Sequence, residues 1–116
     1  MAAPQLKEAE ESIYDLLAHI RRRPGLYIGD PELTRLQSFI IGYECGLGRG
    51  GLMPRHEEPE FHGFHDWIAR RLGYYESTSG WYKMIRERCV SEREAFDRFY
   101  ELLDEFRAAR GEDASS

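Results

Sequence analysis

Apolar residues recur at helical spacing along most of the chain. Leu6, Ala9, Ile13, Leu16, Leu17 and Ile20 share one stripe, with Lys7, Glu8, Glu11 and Asp15 opposite. This predicts a first helix from about Leu6 to Arg22. Pro24-Gly25 ends it, because proline disfavours a helical residue before it and glycine frees the backbone. Leu26-Tyr27-Ile28 follows as a short apolar link, expected to lie extended and tuck into the core. Asp30 reads as an N-cap with Pro31 at the first helical position. A second helix is therefore expected from Pro31 to about Leu47, burying Leu33, Leu36, Phe39, Ile40, Tyr43 and Leu47.

Gly46, Gly48, Gly50 and Gly51 should break that helix, and Gly48 to Pro59 reads as a polar, flexible loop. A third helix is expected over about Glu60 to Leu72, with Phe61, Phe64, Ile68 and Leu72 inward and Gly73 as its stop. Tyr74 to Gly80 forms a second loop. A short fourth helix, about Trp81 to Arg88, should bury Trp81, Met84 and Ile85. The fifth helix has the clearest start, since Ser91 and Glu94 have the spacing of a capping box. From there to about Arg110, Ala95, Phe96, Phe99, Leu102, Leu103 and Phe106 make a continuous apolar stripe, and Asp97, Glu101, Asp104 and Glu105 face water. No segment alternates over six residues, so no strand is predicted. The pattern describes an all-α, single-domain bundle of about five helices, ordered over about 6–110, with a frayed polar tail over 111–116.

Composition narrows the function. A chain of 116 residues with 41% hydrophobic positions builds one modest core and leaves little room for a deep substrate cavity. Its net charge of −5 repels phosphate backbones. The basic run Arg21-Arg22-Arg23 sits where a helix end calls for positive charge, so a nucleic-acid adaptor working through these arginines is a secondary reading. Cys45 and Cys89 lack metal-ligand spacing, and no apolar leader follows Met1. Both features point to a reducing cytoplasm. No run approaches the roughly 20 apolar residues that span a bilayer.

Candidate chemistry centres on His56, His62 and His65, beside Glu57, Glu58, Glu60 and Asp66. His62 and His65 are three apart on a helix and so could share a metal, which makes a small metal-dependent enzyme the alternative reading. Both lie near the apolar stripe of their helix, however, where a histidine bonded to a neighbour is the plainer assignment, and no HExxH pattern is present. No cofactor, metal ligand or catalytic residue is therefore expected. Ser77, Thr78 and Ser79 have no Gly-x-Ser-x-Gly elbow. Gly46 to Gly51 lacks the Gly-Lys-Ser/Thr of a phosphate loop and follows a helix rather than a strand. Glu44 projects almost onto an apolar stripe and is expected to be buried and bonded to a backbone donor or an arginine. Trp67 projects away from its stripe, either packing on the Gly48–Pro59 loop or offering an interface anchor. Tyr74 to Tyr82 sets four aromatics around small polar residues, a composition suited to recognition, with Trp81 expected to anchor the loop to the core.

Two resemblances follow. Arg22-Arg23-Pro24-Gly25-Leu26-Tyr27-Ile28-Gly29-Asp30 resembles a segment near the start of the DNA gyrase ATPase subunit. The next helix lacks that family's Glu, Asn and Asp pattern, so no ATPase is implied. More of the chain resembles small bacterial proteins of toxin–immunity loci. The matching features are Arg23-Pro24-Gly25-Leu26-Tyr27-Ile28-Gly29, Leu36-x-x-Phe39-x-x-Gly42-Tyr43, Phe61-x-x-Phe64-x-x-Trp67-Ile68, Ser79-Gly80-Trp81-x-x-Met84-Ile85, and Ala95-Phe96-x-x-Phe99-x-x-Leu102-Leu103-x-x-Phe106. That resemblance implies a non-catalytic inhibitor that occludes a cognate toxin. The expected contacts are Glu57, Glu58, Glu60, Trp67, Tyr75, Glu76 and Tyr82, on an acidic, aromatic-bearing surface facing a basic partner.

Overall fold

Ser12 decides where the first helix begins. Its hydroxyl accepts from the Asp15 amide and the Asp15 carboxylate accepts from the Ser12 amide, both at 3.2 Å, a complete capping box. Helix α1 accordingly spans Ile13–Arg22. The computed structural model describes residues 7–74 and 80–109, so the helix start expected at Leu6 lies outside the described residues. Lys7–Glu8, expected to be helical, instead forms strand β1, paired in parallel with strand β2, Leu52–Met53. Two extended residues find backbone partners there that no local sequence pattern announces.

After α1, a 3₁₀ turn over Pro24–Leu26 reverses the chain. Only Ile28 of the expected apolar link is buried; Leu26 is 71% exposed and Tyr27 is also exposed. The turn rolls Leu26 outward, which corrects the expectation that the whole link tucks inward.

Helix α2 spans Leu33–Arg49. Glu32, not Asp30, stands at its N-cap, and its side chain makes no capping bond. Instead the Thr34 amide donates to Glu92 Oε1 at 2.9 Å. One orphan donor of this helix is thus satisfied by a carboxylate far along the chain. At its other end α2 passes through Gly46 and Gly48 without breaking, and the chain turns away at Gly51, φ +74°. Glycine there adopts the left-handed region at low cost.

A 3₁₀ turn at Phe61–Gly63 leads into α3, Phe64–Leu72. Gly73, φ 83°, closes α3 as the sequence predicts, and the Tyr74 amide reaches back to the Ala69 carbonyl at 2.8 Å. Helix α4 spans Trp81–Arg86 and α5 spans Glu92–Ala108. Ser91 Oγ accepts from the Glu94 amide at 3.1 Å, one half of the expected box.

The architecture is all-α apart from the two-residue strand pair. Five α-helices among the described residues surround a core built on α5. Phe64 is its hinge, with its ring centroid 5.5 Å from Phe99 and 5.3 Å from Phe106 in edge-to-face geometry. Leu17, Ile20, Leu33, Leu36, Ile68, Met84, Ile85 and Leu102 close around these rings with almost no exposure. All six residues of the predicted α5 stripe are buried, and Tyr14 and Tyr100 join them. Each tyrosine takes its hydroxyl inward to a backbone carbonyl, Tyr100 to Leu17 at 2.7 Å and Tyr14 to Pro59. Burial raises both phenols, against the opposing pull of Arg21 on Tyr100 and of Arg107 on Tyr14.

Candidate functional site

The stripe of α2 is wider than its core contact. Leu36 and Ile40 are buried, but Ile41 is 56% exposed and Tyr43 only half-buried. These residues form one wall of a groove. Beyond the end of α2, Gly51 swings β2 and residues 54–60 back alongside the helix to make the opposite wall. The result is a cleft of about 350 Å³ between Ile13, Tyr43, Leu47, Met53, Pro54 and Phe61. It runs into a second cleft of about 260 Å³ along Gln37, Ile41, His65 and Trp81. Glu44, Phe61 and His62 line both, so the two are halves of one groove. Its floor is apolar, and its rim carries Glu8, Glu44, Glu57 and Glu60. A groove of this size fits the range in which proteins hold side chains or small ligands.

Residues 54–60 form a pinned wall rather than the flexible loop expected. Arg55 Nε donates to the Ala9 carbonyl at 2.9 Å, and the His56 amide donates to Glu8 Oε2 at 3.1 Å. Arg107 Nη2 donates to Glu57 Oε2 at 2.9 Å, and Tyr14 holds the buried Pro59 from beneath.

The electrostatics of the groove are uneven. Glu44 is exposed, not buried as expected, and no arginine or backbone donor bonds it among the described residues. The apolar walls around it still strip some of its hydration and push its carboxyl up. Glu57 is neutralised by Arg107, and Glu8 lies 3.5 Å from Arg55. His56 sits between carboxylates, with Nε2 2.9 Å from Glu58 and Nδ1 3.2 Å from Glu60. His62 Nδ1 lies 3.3 Å from Glu60. His62, expected at the core edge, has 84% of its side chain exposed, because the 3₁₀ turn rotates it off the α3 stripe.

The expected contact residues divide into separate groups. Glu57 and Glu60 line the groove, and Glu58 stands beside it on His56. Trp67 is half-buried and packs on Phe64 and Phe106, with centroids at 6.3 and 5.6 Å. It therefore belongs to the core margin rather than to the 54–60 wall. Tyr82 is half-buried, its hydroxyl 2.7 Å from Thr34 Oγ1, away from the groove lining. Tyr75 and Glu76 lie outside the described residues. Trp81 anchors to the core as expected, 5.0 Å from the Phe99 ring. The three histidines do not converge. Among the described residues the side chains of ligating type that lie close together are His56, Glu58 and Glu60, all exposed, without His62 or His65.

Sequence reasoning missed Ile41, Glu44 and Met53 as site residues. Ile40-Ile41 was a legible signal, since Ile41 falls about 100° around the helix from Ile40 and so outside the Leu33, Leu36 and Ile40 stripe. Met53 is 44% exposed in a segment that otherwise read as polar linker. Arg21, first of the basic run, is committed to Asp104 through two contacts at 3.1 and 3.2 Å.

The fold and groove together define a small helical domain with an acidic-rimmed apolar groove. No protein-family model, curated protein or solved structure matches this chain. Among the described residues, no helix is long and apolar enough to cross a membrane.

Proposed function

We propose that this chain is a non-catalytic protein-binding module, and specifically an immunity-type inhibitor that occludes a cognate bacterial toxin in the cytoplasm. The observation that carries the reading is the groove between α2 and the pinned 54–60 wall. It offers exposed Ile41 and Met53 with a half-buried Phe61 under a rim of glutamates. Apolar side chains from a partner would enter the floor, and basic side chains would meet Glu44 and Glu60. Such a rim accelerates encounter with a basic surface, while the buried apolar contacts slow release. The resemblance to proteins of toxin–immunity loci supplies the inhibitor part of the proposal.

The test is co-expression with the product of the adjacent gene. The expected result is a one-to-one complex by light scattering, with association slowed by salt. Ile41→Asp and Met53→Asp should each weaken it by tenfold or more, while the distant Val90→Asp, at a residue 90% exposed, should not. Absence of a complex, or a complex indifferent to the groove substitutions, would refute the reading.

A further inference from the structure

Among the described residues five large apolar side chains are exposed: Leu26, Tyr27, Ile41, Met53 and Val90. All but Val90 fall in two patches of opposite charge. We infer that the turn carrying Leu26 and Tyr27 docks into the groove of a second copy of this chain, so that copies associate head to tail. The contact uses the groove proposed for a toxin but does not depend on a toxin being its other occupant.

The turn is basic where the groove is acidic. Leu26 and Tyr27 border a cleft with His19, Arg22 and Arg23. His19 has Glu11 at 3.7 Å, and Arg21 is committed to Asp104. Among the described residues no carboxylate pairs with Arg22 or Arg23, and Arg22 Nη2 lies 3.3 Å from His19 Nδ1. Asp30 and Glu32, the acids that follow the turn, are held by Arg35 at 3.8 and 2.9 Å. Two arginines therefore remain beside the exposed leucine and tyrosine. In the groove, Arg107 and Arg55 take up Glu57 and Glu8. Among the described residues that leaves Glu44 without a cation and Glu60 facing His56 and His62. Each patch thus offers what the other lacks: apolar side chains for an apolar floor, and arginines for glutamates.

Both surfaces are held before they meet. The Ile28 amide donates to the Pro24 carbonyl at 2.8 Å, and the Ile28 carbonyl accepts from Arg35 Nη1 at 3.3 Å. Tyr27 and Phe39 meet edge to face, with 6.1 Å between centroids. The groove wall is fixed by the bonds from Arg55, the His56 amide and Arg107. Docking therefore orders a few side chains and little backbone, which keeps its entropic cost low. A copy cannot fill its own groove. Phe39, against Tyr27, and Ile41, in the groove, are two apart on α2 and so about 200° around it at about 100° per residue. The turn and the groove thus lie on opposite flanks of that helix. A contact between unlike patches is heterologous, so each copy in a pair keeps one patch open to a further copy. Few residues take part, which places the contact among weak associations rather than permanent ones.

The experiment is sedimentation velocity of the full chain between about 10 μM and about 1 mM, the range in which weak contacts of small area form. The weight-average sedimentation coefficient should rise with concentration, and added salt should suppress the rise. Leu26→Asp and Arg23→Glu alter the turn and Ile41→Asp alters the groove, all at exposed positions. Each variant alone should associate at least tenfold more weakly than the parent. Mixed in equal amounts, Leu26→Asp and Ile41→Asp should recover a one-to-one complex, because the first keeps a groove and the second keeps a turn. A contact of groove with groove, or of turn with turn, gives no such recovery. Leu26→Asp leaves the groove intact, so its loss of self-association is read independently of any toxin. A parent chain that stays monomeric throughout, a turn variant that associates as the parent does, or a mixture that stays monomeric would each overturn the proposal.

Discussion

Arg107 lies over Tyr14, its guanidinium carbon 4.1 Å from the ring centroid, while the same guanidinium holds Glu57 at 2.9 Å. One residue of α5 thereby clamps α1 to the groove wall, and the Tyr14 hydroxyl completes the clamp at Pro59. Tyr14→Phe would leave the Pro59 carbonyl without its buried donor, at a cost of about 1–2 kcal/mol. Chemical denaturation should register that loss with an unchanged slope. A variant as stable as the parent would mean that water or another donor reaches Pro59.

The two serine caps act on separate helices. Ser12→Ala and Ser91→Ala should each destabilise by about 1 kcal/mol, and the double variant by their sum, because the sites share no partner. Ser12, only 1% exposed, should be the costlier of the two. Equilibrium unfolding of the three variants measures both claims, and strong non-additivity would contradict the separation.

Glu92 and Glu44 should bend the stability–pH curve in opposite directions. Burial alone would raise Glu92, but hydrogen bonds from Thr34 Oγ1 at 2.6 Å, the Thr34 amide and Arg86 hold its carboxyl below the ordinary 4.5. The unfolded chain then takes up the proton first as pH falls. The Glu92 contribution is complete above about pH 4.5 and is lost as pH drops through the lower folded value. Glu92→Gln should cost about 1 kcal/mol at neutral pH and almost nothing at strongly acid pH. Glu44 is raised by desolvation, so its charged form carries a penalty above its folded value that vanishes below 4.5. Glu44→Gln should stabilise at neutral pH and be silent in acid. Urea midpoints across pH for both variants decide the signs.

The two thiols should react at different rates. Cys45 is exposed on the outer face of α2. Cys89 is half-buried, and burial together with the neighbouring Glu94 pushes its thiol up, which depletes the reactive thiolate. A maleimide at neutral pH should modify Cys45 first and Cys89 only slowly. Mass spectrometry of timed samples checks the order, and equal rates would show that Cys89 opens freely.

Legibility followed periodicity. The α5 stripe from Ala95 to Phe106 and the Gly73 stop were readable because neighbours three and four apart, or a single left-handed residue, carry the whole signal. The α2 start was misread at Asp30 because the carboxylate that caps Thr34 is Glu92, from another helix. Lys7–Glu8 looked helical because the partner strand at Leu52–Met53 is invisible to any local window. The groove was half legible. Glu57 and Glu60 stood out as charge, but Ile41, Glu44 and Met53 become a site only once the 54–60 wall lies against α2. Trp67 looked unpartnered on its own helical wheel, whereas its partner Phe106 comes from α5.

The strand pair, small as it is, joins the two chain segments flanking α1 and α2. Lys7 meets Leu52, and the Ala9 amide reaches the Met53 carbonyl at 2.9 Å. A two-residue pair at the margin of the core is expected to open more readily than the buried helices. The Ala9 amide should exchange with solvent deuterium well before those of Phe99 or Leu102. Stability of the core and readiness of the groove are thus two different quantities in this molecule, and a change near β1 can alter the second while leaving the first intact.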